Sequence, residues 1–269
     1  NKILNKSNIF TLVIILLIFS LIGLFFHYSK GTKFRYFLNN ELDRKYISKA
    51  MNYPSSKVSL GQSCALICAK VQGYDKSLLL FGDSHAGDYE FEITRLLNNK
   101  KVNLYLSYYN YKSQQYLNEL DHLEKSLINQ KIDYVFIVNH KIMKNEMFLK
   151  KIDIILKNYP DTEFYYFLPR VEFYESPIKS KILNKPLDRP EKLYFLEINK
   201  FINSLNYKNF KVIDQNNLLL EITDPSCSNL SCFDGHDSNN FPLYRDNHHL
   251  TNYAAGLVIK KVFNQLSLK

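Results

Sequence analysis

Apolar residues fall in three kinds of run along this chain, and each predicts a different element. Residues 9–26 are almost unbroken apolar sequence, interrupted only by Thr11, Ser20 and Gly23. About 18 residues at a 1.5 Å rise nearly span a ~30 Å hydrocarbon core. No small-x-small cleavage pattern follows Phe26, and the run exceeds a signal-peptide apolar region, so a transmembrane helix is expected. Residues 31–74 read as a lead-in with one helical piece over 35–50. From Lys76 onward short apolar runs alternate with amphipathic stretches. The runs predict strands at 78–81, 102–106, 134–138, 164–168 and 210–213. Between and after them the spacing predicts helices at 88–97, 113–129, 146–157, 189–205 and 251–266. Strands alternating with helices imply an α/β fold, a doubly wound parallel sheet covered on both faces. The expected domains are a transmembrane anchor at 1–30, a linker and lead-in at 31–75, and an α/β domain at 76–269.

Composition changes this picture in two places. The chain has 269 residues and a net charge of +9, from 35 Lys and Arg against 26 acids. Such a balance suggests nucleic acid, but the lysines are scattered among Asn, Ile, Tyr and Phe with no basic stripe, so no nucleic-acid partner is expected. The four cysteines form two close pairs, Cys64 with Cys68 and Cys227 with Cys232. Their spacings do not suit zinc knuckles, and neither a metal nor a cofactor is expected. Local disulfides Cys64–Cys68 and Cys227–Cys232 are the preferred reading, with cross-pairing as the alternative. Disulfides imply an oxidising compartment. Lys30, Lys33, Arg35, Arg44 and Lys45 follow the apolar run while Lys2 and Lys6 precede it, which alone would put the domain in the cytoplasm. The cysteines outweigh the lysines, and an extracytoplasmic domain is expected.

The chemistry gathers at two predicted strand edges. Ser84 follows the apolar run 77–81 and Gly82-Asp83, just before a helix. There, backbone N–H groups and the positive end of the helix dipole face a developing oxyanion. A capping serine in an ordinary βα turn is the competing reading. Near the other end, Asp246-Asn247-His248-His249-Leu250 precedes the last helix. A serine nucleophile needs a general base within reach and an acid to orient that base. An Asp and a His three positions apart on one turn supply both, although Asp246 as a cap and the histidines as exposed loop residues are the plainer readings of each alone.

The two blocks together resemble the SGNH/GDSL hydrolase superfamily: Gly82-Asp83-Ser84 matches its first block and Asp246 to His249 its last. Gly-Asp-Ser-His early with Asp-x-x-His-Leu late is similar to the C-terminal SGNH domain of acyltransferase 3 family membrane proteins. That resemblance implies a flavodoxin-like SGNH fold, with Ser84 as nucleophile, His249 as base and Asp246 as its orienting acid. It also implies a membrane acyltransferase domain upstream of Asn1, of which residues 9–26 would be the last helix. Cys227 and Cys232 would be the family's cysteine pair upstream of the last block. The sequence departs from the superfamily in its middle blocks. Residues 102–115 contain no glycine to donate to an oxyanion, and the third block offers only Asn139. The expected oxyanion donors are the Ser84 backbone N–H and the Asn139 side chain, with strand-end capping as the alternative for Asn139. His85 is given no catalytic role, and the tyrosines of 105–111 are read as strand and loop aromatics, with a sugar-stacking groove as the alternative.

The resemblance implies O-acyl transfer, O-acetyl above all, onto a surface polysaccharide or lipopolysaccharide, in the inner membrane with the domain in the periplasm. Its partners would be the membrane, an acyl donor and a glycan acceptor. The alternatives are a carbohydrate esterase and a non-catalytic glycan-binding module.

Overall fold

The computed structural model describes residues 6–28, 68–108, 116–139, 146–182, 202, 205–223, 225–227 and 229–266. The chain divides into two units, Asn1–Lys49 and Ala50–Lys269. In the first, helix α1 runs over Lys6–Tyr28, and its described side chains are exposed and mostly apolar, among them Phe19 and Leu21. Among the described residues no helix is long and apolar enough to cross a membrane. Side chains of α1 are described only for residues 13–24, so the expectation of a membrane span rests on the sequence.

The second unit is built on a six-stranded sheet of order β1-β3-β2-β4-β5-β6. The strands are β1 (Cys68–Val71), β2 (Lys76–Gly82), β3 (Val102–Tyr108), β4 (Tyr134–Val138), β5 (Glu163–Phe167) and β6 (Phe210–Ile213). Strands β2 to β6 pair in parallel, whereas β1 pairs antiparallel with β3 at the edge. The five parallel strands have the flavodoxin-like order, in which the direction of winding reverses between the first strand and the third. Here that switch point lies between β2 and β4. Strand β1 is a departure from the expectation, which leaves its residues in the lead-in. Its four residues hold one strong β-former, Val71, against three in the equally short β6.

Alternation along the strands sorts the core into two layers. Leu78 and Leu80 of β2 face one side with Phe136, Val138 and Phe167. Helices α2 (Ser84–Lys100) and α7 (Asn252–Gln265) cover this side with Tyr89, Ile93, Val258 and Val262. Leu79 and Phe81 face the other side with Val135, Ile137 and Phe164. Helices α3 (Tyr116–Asn129) and α4 (Glu146–Asn158) cover it with Leu120, Leu123, Ile152 and Ile155. The run Leu78 to Phe81 is therefore core, as its composition predicts. Two short helices, α5 (Pro177–Ile182) and α6 (Gln215–Leu220), complete the described elements. The predicted helix over 189–205 and the helical piece over 35–50 lie outside the described residues, apart from Ile202 and Leu205. So does the Cys64–Cys68 pairing.

Helix α7 opens immediately after the second chemical block. Its cap is Thr251, whose buried Oγ1 accepts from the Ala254 N–H at 3.2 Å and donates to the Pro242 carbonyl at 3.1 Å. Asp246 is thereby free of the capping role that its position allowed. Replacing Thr251 by Ala should destabilise the domain by about 1–2 kcal/mol, the usual cost of a lost N-cap. A denaturant melt reads this directly, and an unchanged midpoint would show that the cap contributes nothing.

Candidate active site

Strand β2 delivers Ser84 to the site through a glycine that its neighbours require. Gly82 has φ +155°, and a Cβ there would stand 1.9 Å from the Val138 carbonyl oxygen on β4 and 3.0 Å from the Ala86 Cβ. The absent side chain lets β2 and β4 run side by side to their last pair, Gly82 with Val138. Beyond that pair the two strands release Asp83-Ser84 and Asn139 at adjacent carboxyl ends, at the switch point of the sheet. Asn139 is buried there.

The helix starts four residues earlier than its apolar spacing predicts, and its cap is Asp83 rather than Ser84. The Asp83 carboxylate is buried and accepts from the His85 N–H at 2.8 Å. Ser84 is the first helical residue, so its hydroxyl is not spent on capping and its backbone N–H belongs to the unpaired first turn.

The second block folds as a tight turn. Tyr244 bridges Leu250, and the Arg245 N–H donates to the His249 carbonyl at 3.0 Å. Inside the turn, Asp246 Oδ1 accepts from the backbone N–H groups of His248 and His249 at 2.9 and 2.7 Å. Asp246 Oδ2 lies 2.8 Å from His249 Nδ1, and His249 Nε2 lies 2.9 Å from Ser84 Oγ. Ser84, His249 and Asp246 thus form one hydrogen-bonded chain, from residues 165 positions apart. Burial alone would raise the Asp246 carboxyl. The hydrogen bonds from His249 and from the two backbone N–H groups, with the His249 charge, hold it below the usual carboxylate range. An acid kept ionised in this way can orient an imidazole and stabilise its protonated form.

Two more imidazoles surround His249. His248 packs on His249 with centroids 4.1 Å apart, and His85 stacks on His248 at 5.5 Å and meets His249 edge-on at 5.2 Å. One ring nitrogen from each of the three lies within 4.8 Å of the others, close enough in principle to gather round a metal ion. His249 is already committed to Ser84 and Asp246, and His248 Nδ1 lies 2.8 Å from Asn247 Oδ1. Cys227 and Cys232, the second of the expected pairs, are joined by a disulfide.

Residues 52–263 match the family model described as an SGNH domain fused to AT3 domains. The chain belongs to the SGNH family. Among solved structures, this SGNH domain is similar to one described as the periplasmic domain of a lipopolysaccharide acetyltransferase from Salmonella ser. Paratyphi A. The TM-score is 0.52 at 15% identity, over 72% of this chain and 85% of that one. At that identity the likeness speaks for the fold. No curated protein matches the sequence.

The SGNH site also contains residues that sequence reasoning passed over. Asp88 is buried one helical turn after Ser84, and it binds both flanks of the 244–250 turn. Its Oδ1 accepts from Arg245 Nη2 at 2.8 Å, and its Oδ2 accepts from the Leu250 N–H at 3.0 Å and pairs with the buried Arg170. The four-residue spacing from Ser84, which places both on one helix face, was the available signal for Asp88. For Arg170 it was the position just past β5, at the same sheet edge. Residues 105–108 of the tyrosine stretch form the end of β3, and Tyr109 and Tyr111 lie outside the described residues.

Proposed function

We propose that this chain is an O-acyltransferase domain that modifies an extracytoplasmic glycan through an acyl-serine intermediate. The observation that carries the proposal is the continuous chain Ser84 Oγ, His249 Nε2, His249 Nδ1, Asp246 Oδ2 at hydrogen-bond distances. Ser84 Oγ attacks the acyl carbonyl of the donor while His249 Nε2 takes its proton, and Asp246 stabilises the imidazolium. The tetrahedral oxyanion is met by the Ser84 backbone N–H, at the positive end of α2, and by the Asn139 amide. Collapse breaks the bond to the donor's leaving group, which takes the proton from His249, and leaves an ester on Ser84. A sugar hydroxyl then gives its proton to the same nitrogen and attacks the ester. The product is an O-acyl sugar, and Ser84 is regenerated.

Membership of a family whose domains are fused to AT3 domains supports a membrane acyl-donor partner. The Salmonella relative is described as a periplasmic domain of a lipopolysaccharide acetyltransferase, which supports acetyl as the group and an extracytoplasmic position. The Cys227–Cys232 disulfide and the apolar α1 read as an anchor favour the same location. A glycan acceptor and the inner-membrane setting follow from the same reading. With water in place of the sugar the same residues would make an esterase, and the products separate the two.

The test is to trap the intermediate. Incubated with 4-nitrophenyl acetate and quenched in acid, the chain should carry one acetyl group on the peptide containing Ser84, and the Ser84→Ala variant none. An adduct that persists in Ser84→Ala, or wild-type surface acylation by that variant in cells, would overturn the proposal in favour of the binding-module alternative. Loss of the adduct on adding an acceptor glycan, with acyl-glycan as product, identifies the transferase. Release of free acetate alone identifies the esterase.

A further inference from the structure

We infer that Asp88 and Arg170 are positioning residues: a buried ion pair that holds the Asp246–His249 turn at working distance from the helix carrying Ser84. This rests on the acyl-transfer reading above. Both side chains are fully buried. One Asp88 carboxylate receives a bond from each side of the catalytic turn, from Arg245, which precedes Asp246, and from the N–H of Leu250, which follows His249. Arg170 reaches the middle of the same turn, its Nε donating to the His248 carbonyl at 2.9 Å. Its Nη1 lies 3.5 Å from Gln215 Oε1, and Gln215 in turn donates to the Leu168 carbonyl and accepts from Tyr89 on α2. Four pieces of the fold therefore meet on two charges: helix α2, the stretch after β5, the start of α6, and the turn that carries the base.

The physical case for a positioning role is the choice of residue. Burying two charges carries a desolvation cost, and an apolar pair of the same volume would often stabilise the fold as well or better. Burial indeed pushes the Asp88 carboxyl up against the pull of Arg170 and Arg245. What an apolar pair cannot do is fix direction. Asp88 and Arg170 place hydrogen bonds on three points of the turn, the Arg245 side chain, the His248 carbonyl and the Leu250 N–H. Those bonds set how far His249 Nε2 stands from Ser84 Oγ. The hydrogen bonds of the pair go to the turn and its supports, so neither residue is assigned a chemical step. A displacement of about 1 Å between nucleophile and base lowers rate by roughly 10²-fold.

The test compares Asp88→Asn, Arg170→Gln, the double variant and Arg170→Lys in the whole 269-residue chain. Three quantities are read: kcat and KM on 4-nitrophenyl acetate, the rate at which a fluorophosphonate labels Ser84, and the melting temperature. The double variant buries no net charge and should melt closer to the parent than either single variant. Its kcat and its labelling rate should nevertheless both fall by about 10²-fold, with KM within about twofold of the parent. Arg170→Lys keeps the charge and loses the bond to His248, and should fall between. A folded double variant with parental kcat and labelling rate overturns the inference, because a merely structural pair would behave in that way. If the double variant does not fold, undiminished kcat and labelling in Arg170→Lys overturns it equally. Ser84→Ala is run alongside. If it keeps activity, the acyl-serine reading itself falls; if it is inactive while the pair variants are fully active, only the positioning role falls.

Discussion

The Asp246→Asn variant should lose about 10⁴-fold in kcat while keeping its fold, an effect at the upper end of those from a lost general-base partner. The size of the expected loss comes from the turn. Asp246 Oδ1 accepts two backbone N–H bonds, from His248 and His249. An asparagine must keep its carbonyl oxygen on those donors, which puts its NH₂ group against His249 Nδ1. That nitrogen then has to accept, its proton moves to Nε2, and the imidazole donates to Ser84 instead of receiving from it. The variant is thus locked into the tautomer that cannot act as a base. A stopped assay over a range of pH, with a circular-dichroism melt to confirm folding, checks this. A loss below tenfold would show that Asp246 does not hold the tautomer. Acid gives a companion expectation. The folded-state pKa of Asp246 is depressed, so its contribution to stability is present above the unfolded value near ~3.9 and is lost only as pH falls through the lower folded value. The turn should therefore survive acidification to about pH 4.

Gly82→Ala should damage both stability and activity, and more than its size suggests. A left-handed or otherwise sparse backbone conformation costs a side-chain-bearing residue about 1–3 kcal/mol, and overpacking adds about 1–3 kcal/mol more. The sum is on the order of 4 kcal/mol, a large share of the stability of an ordinary domain. Relief is hard to find because the added carbon meets the Val138 carbonyl oxygen at 1.9 Å, main chain rather than a movable side chain. The strands β2 and β4 must part at their carboxyl ends, which separates Ser84 from Asn139. Denaturant melts and acyl-enzyme formation read the two effects together. If the variant is stable but inactive, the strain is confined to the site. Parental stability and activity together would show that the strand ends are more yielding than their packing implies.

How much of this could be read from the residues differs between parts of the molecule. The parallel core was visible because β2, β4 and β5 are buried on both faces and read as short apolar runs. Ser84, Asp246 and His249 were visible as candidates because Ser, Asp and His are residue types that carry chemistry, and two spaced blocks are more specific than any one residue. The start of α2 was displaced because its first turn, Ser84 to Gly87, has no apolar periodicity, and its cap is an aspartate that looked like part of the motif. Strand β1 did not show because only Val71 of its four residues is a strong β-former. Asp88, Arg170 and Gln215 were missed for a different reason. In a sequence, charged and polar residues read as solvated, and only the three-dimensional pairing shows that these are among the most buried side chains. The candidate chemical residues were legible, whereas the buried polar residues packed around them were not.

Ser84 enters the chain early and His249 very late, 165 positions apart. During synthesis the amino-terminal part of a domain emerges and begins to organise first. A growing chain therefore presents Ser84 before His249 has been made. On the proposed mechanism, the 244–250 turn and helix α7 must dock before Ser84 meets His249, so activity would report that this late-emerging segment has joined the sheet.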